Sequence, residues 1–136
     1  MPAPEPTLDV VREWLVKADH DLLNATHTLK LGAACPTDTV CFHVQQCVEK
    51  HIKALLVFQS IPFPKIHNIH VLRALLPAKL RPKLDKKTEI RLTKYATVTR
   101  YPESGPEITL TEARKAVATA RRVRREIRKH LPKTAR

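Results

Sequence analysis

The amino-acid sequence predicts an all-α fold, specifically an up-and-down four-helix bundle with an extra short helix. Four long segments place apolar residues at helical spacing, and prolines lie between them. The chain has only two glycines, whereas all-β folds usually place glycine in their many turns. No segment alternates between polar and apolar residues as a strand does. We interpret the 136 residues as one domain, with its core over about residues 8–131.

The first long helix is predicted over residues 7–31, and the second begins after Pro36 and runs to about Gln59. Gly32 is placed where a C-terminal cap glycine belongs. Thr37 or Asp38 is the expected N-cap of the second helix. The residues that share one face of the first helix, in alternating steps of four and three, are Val11, Leu15, Ala18, Leu22, Ala25 and Leu29.

The later helices are bounded by prolines and caps. A short helix is predicted over 68–76, followed by Pro77, and a long one over 87–99. Thr109 and Glu112 have the spacing of a capping box. They start a last helix that is predicted to reach Leu131.

Composition excludes several classes of protein. No apolar run approaches the roughly 18 residues of a transmembrane helix, and the N-terminus lacks the pattern of a signal peptide. We therefore expect a cytoplasmic protein with no membrane partner. Three cysteines without CxxC spacing argue against disulfides and structural zinc. No cofactor is expected.

The net charge of +12 is concentrated towards the C-terminus. Residues 111–136 carry ten Lys or Arg against two acidic residues, whereas residues 1–60 carry five against seven. Such a basic segment attracts anions, for example RNA, an acidic partner protein or an anionic lipid surface. Because aromatic residues are scarce there, contact with nucleic acid should be made mainly to phosphates. The alternative is a solvated helix face.

The second helix also carries candidate site residues. His43, Cys47 and His51 share one face, but residues eight apart lie about 12 Å apart, too far to hold one metal ion. Glu49 and Lys53 form either a surface ion pair or, with Gln46, a polar groove. His67 is interpreted as an N-cap-like residue or as an acid–base group, and Arg100 as a helix cap or a phosphate ligand.

Several segments together resemble the HEPN domain family. The segment CFHVQQCVEKHIKALL, residues 41–56, is similar to that family's CFHAQQAAEKALKALL. His67-Asn68-Ile69 is similar to its T-H-D-L segment, and Tyr95-Ala96 with Arg100-Tyr101-Pro102 to its Y-A-x-x-x-R-Y-P segment. The last helix fits its E-A-x-x-A-x-x-x-A pattern.

The resemblance implies a helical bundle, usually dimeric, paired with a minimal nucleotidyltransferase in a toxin–antitoxin-like system. Many members are metal-independent ribonucleases with an Arg, four to six residues, then His. After Arg100 the corresponding positions hold Gly105, Pro106 and Glu107. None acts as a general base in the way histidine does, and only Glu107 could do so weakly. Literal matches end at His130: Arg125 precedes it with four intervening residues, and Arg124 with five.

The predicted function is a non-catalytic component that binds nucleotide, RNA or the nucleotidyltransferase, and the sequence does not name one ligand among these. The alternatives are a metal-independent endoribonuclease that uses Arg125 and His130, or His67 and Arg100, and a basic helical adaptor for an acidic protein. The predicted ligand-binding residues are Gln46, Glu49, Lys53, His67, Arg100 and Tyr101.

Overall fold

A computed structural model describes residues 4–98 and 107–136, and all regular structure in these ranges is helical. The α-helices are α1 (Glu5–Leu29), α2 (Thr37–Phe58), α3 (Ile69–Leu75), α4 (Lys86–Val98) and α5 (Leu110–Arg128). One-turn 3-10 segments follow α1 and α3, at Gly32–Ala34 and Ala78–Leu80. The all-α prediction is therefore confirmed.

The helix directions follow from contacts between named pairs. In α2, Lys53 lies over the ring of Trp14 of α1, and His43 bonds to Asp21 of α1. Because the later residue of α2 contacts the earlier residue of α1, the two helices are antiparallel. Thr37 bonds to Ile108 and Arg128 to His51, so α5 runs in the direction of α2. The hydroxyl of Tyr95, near the end of α4, bonds to Glu112 near the start of α5. Thr88, near the start of α4, lines a cavity together with Thr119 further along α5. Helix α4 is therefore antiparallel to α5. The four long helices alternate in direction, as an up-and-down bundle requires.

Helix α2 is the central element of this bundle. It packs against α1, α3, α4 and α5, and 13 of its 22 residues are buried. Apolar side chains from every helix form one core around it, including Ile52, Leu55, Leu72, Leu92 and Ile127. Because α2 is surrounded, its polar residues are also drawn into the interior, and they must find partners there.

The helix ends differ from the predicted ones by a few residues. Pro36 occupies the N-cap position of α2, one residue before the predicted Thr37 or Asp38. Asn68, and not His67, caps α3, since its side chain accepts a hydrogen bond from the Val71 N–H. Helix α5 ends at Arg128 rather than at Leu131, and turns continue the chain to its end. In the described part of the chain, no helix combines the length and the apolar character needed to cross a bilayer.

Candidate functional site

A buried carboxylate, Glu49, is the centre of a polar cluster on α2. Its Oε1 accepts hydrogen bonds from Gln45 Nε2 at 2.9 Å and from His67 Nδ1 at 2.8 Å. Its Oε2 accepts from Lys53 Nζ at 2.9 Å. A carboxylate can only accept, so Nδ1 of His67 carries the proton in this contact. The side chain of Glu49 is only 3% exposed, and these bonds satisfy it.

The cluster extends to neighbouring side chains on both sides. Gln46 donates to Gln45 Oε1 at 2.6 Å, and Gln45 donates to the His67 carbonyl at 3.2 Å. The Lys53 ammonium lies 5.5 Å from the ring centre of Trp14 and 5.7 Å from that of Phe63, within range of cation–π attraction. We call this set the Glu49 cluster; its members are Gln45, Gln46, Glu49, Lys53 and His67.

The structure therefore brings together four residues predicted from the sequence: Gln46, Glu49, Lys53 and His67. It also shows that a surface ion pair is the wrong interpretation of Glu49 and Lys53, because both side chains are buried. The Lys53 side chain is 7% exposed, whereas the His67 side chain is 58% exposed and reachable from solvent.

The predicted binding set has two further members, Arg100 and Tyr101, which lie outside the described residues. Sequence reasoning missed one member of the cluster, Gln45. Its position four residues before Glu49 was a usable signal for a bond along the helix.

Of the three residues considered as metal ligands, Cys47 and His51 contact each other, with Sγ 3.5 Å from Nδ1, whereas His43 pairs with a different residue. His43 Nδ1 lies 2.9 Å from Asp21, which also accepts from Lys50 at 2.6 Å. His51 Nδ1 donates to the Cys47 carbonyl at 2.9 Å. Within residues 4–98 and 107–136, no three His, Cys, Asp or Glu side chains are grouped closely enough for a metal ion.

Burial sets the protonation states inside α2. It lowers the pKa of His51 to about 4, so this ring is neutral near pH 7. Its Nε2 is then free to accept from Arg128 Nε, at 3.4 Å. Burial also raises the pKa of Cys41 and of Cys47 to about 12, which keeps both thiols protonated and poorly reactive.

A second candidate region is a concave basic surface at the C-terminal end of α5. It is a shallow, open depression of about 390 Å³, lined by Arg124, Arg125, Arg128, Lys129 and Arg136. We call these five residues the basic surface. Such a concentration of positive charge attracts phosphate-bearing ligands.

A single acidic residue of α1, Asp19, pairs with two of these arginines. Its Oδ1 lies 2.9 Å from Arg124 Nε and 2.8 Å from Arg128 Nη2. Partial burial acts to raise the pKa of Asp19, but the hydrogen bond from Arg124 and the charge of Arg128 outweigh it and lower the pKa. Asp19 is therefore ionised near pH 7. The exposed side chains of Arg125, Lys129 and Arg136 make no ion pair within the described residues.

The two predicted catalytic residues are placed differently with respect to this surface. Arg125 is exposed and lines the basic surface. His130 is also exposed, in the turn after α5, where its N–H bonds to the Ile127 carbonyl, but it is not among the lining residues. The structure shows no contact between the two side chains.

Comparison with known proteins identifies the family. Residues 11–130 match the HEPN domain. The crystal structure of TT1696 from Thermus thermophilus is 28% identical, with a TM-score of 0.74, covering 89% of this chain and 98% of that one. The crystal structure of ST0689, described as an archaeal HEPN homologue, is 27% identical, with a TM-score of 0.66, covering 90% and 98%. No curated protein matches the sequence. Because the family match spans most of the sequence and solved relatives share its fold, the chain belongs to the HEPN domain family.

Proposed function

We propose that this chain is the non-catalytic component of a pair formed with a minimal nucleotidyltransferase, and that its basic surface binds the phosphates of RNA or of a nucleotide. The observation that carries this proposal is the charge of that surface. Five cations line one concavity, and a single carboxylate, Asp19, pairs with two of them. No aromatic side chain is among the lining residues, which favours contact with phosphates over stacking on bases.

We propose the nucleotidyltransferase partner and the homodimer because the chain belongs to the HEPN family. Light scattering on the purified chain, alone and mixed with a minimal nucleotidyltransferase, tests both. We expect the mass of a dimer for the chain alone, and a larger complex in the mixture. The mass of a monomer in the first sample would contradict the homodimer. Two separate species in the mixture, each with its own unchanged mass, would contradict the complex with the nucleotidyltransferase.

An RNA-binding and cleavage assay in EDTA, at about 50 and 200 mM salt, tests the proposed activity. We expect retention of RNA that weakens strongly at the higher salt concentration, and no cleavage. Arg125→Gln should weaken retention, whereas the matched variant Arg114→Gln, an exposed arginine near the other end of α5, should change it little.

The same assay separates binding from the ribonuclease alternative. Cleavage in EDTA that is lost in His130→Ala would establish catalysis by Arg125 and His130 and overturn the non-catalytic role. Absence of both retention and cleavage would overturn the assignment of the basic surface to RNA.

A further inference from the structure

Asp19 occupies a position at the basic surface that a phosphate group would otherwise take. Its Oδ1 accepts a hydrogen bond from Arg124 Nε at 2.9 Å and forms an ion pair with Arg128 Nη2 at 2.8 Å. Carboxylates and phosphates are recognised by the same donors of an arginine side chain. The carboxylate of α1 thus acts as a built-in anion between two residues of α5.

Arg128 is held in this arrangement from its other side as well. Its Nε lies 3.4 Å from Nε2 of the buried, neutral His51, and its side chain is only 13% exposed. Arg128 cannot turn towards solvent without leaving both partners. Arg124 is more exposed, at 37%, but its Nε is already bonded to Asp19. Two of the five cations are therefore engaged by one carboxylate within the protein, and the three groups together keep a single positive charge.

The remaining three cations lie outside the ion pairs of Asp19. Arg125 and Lys129 are one helical turn apart, about 6 Å along α5, and Arg136 lines the same concavity. Separate, exposed cations match several phosphates along a chain better than they match one phosphate group. Each phosphate that they neutralise releases counterions, so the affinity for a nucleic-acid strand increases with the number of phosphates contacted.

We propose that Asp19 makes the basic surface selective for a chain of phosphates, as in RNA, over a mononucleotide. This inference rests on the proposed function and decides between the two ligands left open there. A single phosphate must displace a carboxylate that is tethered in place, and a tethered group competes at a high effective concentration. An RNA chain needs no such displacement, because it reaches Arg125, Lys129 and Arg136.

The test measures binding of a short RNA and of adenosine monophosphate to the full chain at about 50 and 200 mM salt. The unsubstituted protein should bind RNA and not the mononucleotide. Asp19→Asn keeps the side-chain size but removes the charge, so it should gain mononucleotide binding. The increase in salt should lower the RNA affinity of this variant by about tenfold more than it lowers that of the unsubstituted protein. The variant makes two additional phosphate contacts, and each contact costs roughly threefold in affinity over that range.

Two control variants separate the local effect from a change in total charge. Asp38→Asn removes the same charge near the start of α2, at the opposite end of the bundle, and should behave as the unsubstituted protein. Asp19→Glu retains the charge and should retain the selectivity for RNA. Circular dichroism on each variant checks that the helical content is unchanged.

Neighbouring arginines give a second test that leaves Asp19 intact and does not depend on the folding of Asp19→Asn. Arg125→Gln removes an exposed cation outside the Asp19 ion pairs and should lower RNA affinity by at least about threefold at the lower salt concentration. Arg124→Gln removes a cation whose Nε is already bonded to Asp19 and should lower the affinity less. Equal losses in the two variants would overturn the inference.

Other outcomes of these experiments distinguish failure of the inference from failure of the proposed function. The inference is wrong if the unsubstituted protein binds the mononucleotide as tightly as Asp19→Asn does, or if Asp19→Asn binds RNA less tightly. Failure of the unsubstituted protein to bind RNA would instead overturn the proposed function, while a gain of mononucleotide binding in Asp19→Asn would still support the role of Asp19.

Discussion

Glu49 and Lys53 show how burial changes the energetics of a common helical pair. The two side chains are four residues apart, bonded at 2.9 Å, and 3% and 7% exposed. An exposed pair at this spacing stabilises a helix by a few tenths of a kcal/mol. In a buried pair, removal of one partner leaves an uncompensated charge in the interior, which costs far more.

We expect Lys53→Met to lower the free energy of unfolding by about 3 kcal/mol, because it leaves the Glu49 carboxylate without its cation. Methionine is an unbranched side chain that can still occupy the space beside the rings of Trp14 and Phe63, where the Lys53 ammonium lies. Urea unfolding at pH 7 measures the change. The matched variant Arg122→Met breaks the more exposed pair with Glu126, also four residues apart, and should cost less than about 1 kcal/mol. Similar losses in both variants would contradict the argument.

At the scale of elements, the start of α5 shows a local motif altered by tertiary contacts. The Thr109 hydroxyl accepts from the Glu112 N–H at 3.1 Å, as the predicted capping box requires. The Glu112 side chain does not complete the box; its Oε2 accepts from the Tyr95 hydroxyl of α4 at 2.7 Å. One residue thus serves both to begin α5 and to join it to α4.

Loss of the Thr109 cap should destabilise the fold by about 1 kcal/mol, because Thr109→Ala leaves the Glu112 N–H without its side-chain acceptor. Thr109→Ser keeps a hydroxyl at the same place. Thermal unfolding should therefore show a lower Tm for the alanine variant and little change for serine. An equal decrease in the two variants would indicate that packing of the threonine methyl group, and not the cap, stabilises this end of α5.

Local patterns also explain which elements were predictable from the sequence. Apolar spacing, prolines and caps depend on residues a few positions apart, so they locate the helices to within a few residues. The burial of α2 on all sides depends on contacts with four other helices, and its periodicity does not reveal this. For the same reason, Glu49 and Lys53 were compatible with a surface pair.

The same distinction between local sequence signals and long-range contacts applies to the candidate sites. The density of cations in α5 is a local property and was predicted. The pairing of Asp19 with Arg124 joins residues 105 positions apart, and the sequence contains no short-range signal for it. The contact between His67 and Glu49 likewise depends on how the segment between α2 and α3 returns to the bundle.

At the scale of the whole molecule, three helices meet around His51. Asp19 of α1 pairs with Arg128 of α5, and Arg128 in turn donates to His51 of α2. This arrangement requires a neutral imidazole, because a protonated ring cannot accept a hydrogen bond. Burial favours the same state and lowers the pKa of His51 to about 4. The stability of the bundle is thereby coupled to pH.

We expect the free energy of unfolding to fall by roughly 3 kcal/mol between about pH 6.5 and pH 4 because of His51. In that range the unfolded chain binds a proton that the folded chain excludes, so acid favours unfolding, whereas above about pH 6.5 the effect disappears. Asp19, whose pKa is lowered, loses its contribution only below about pH 4. Urea unfolding at several pH values measures the slope. His51→Gln should flatten it, and His20→Gln, an exposed histidine of α1, should leave it unchanged; a slope that persists in His51→Gln would assign the acid sensitivity to other groups.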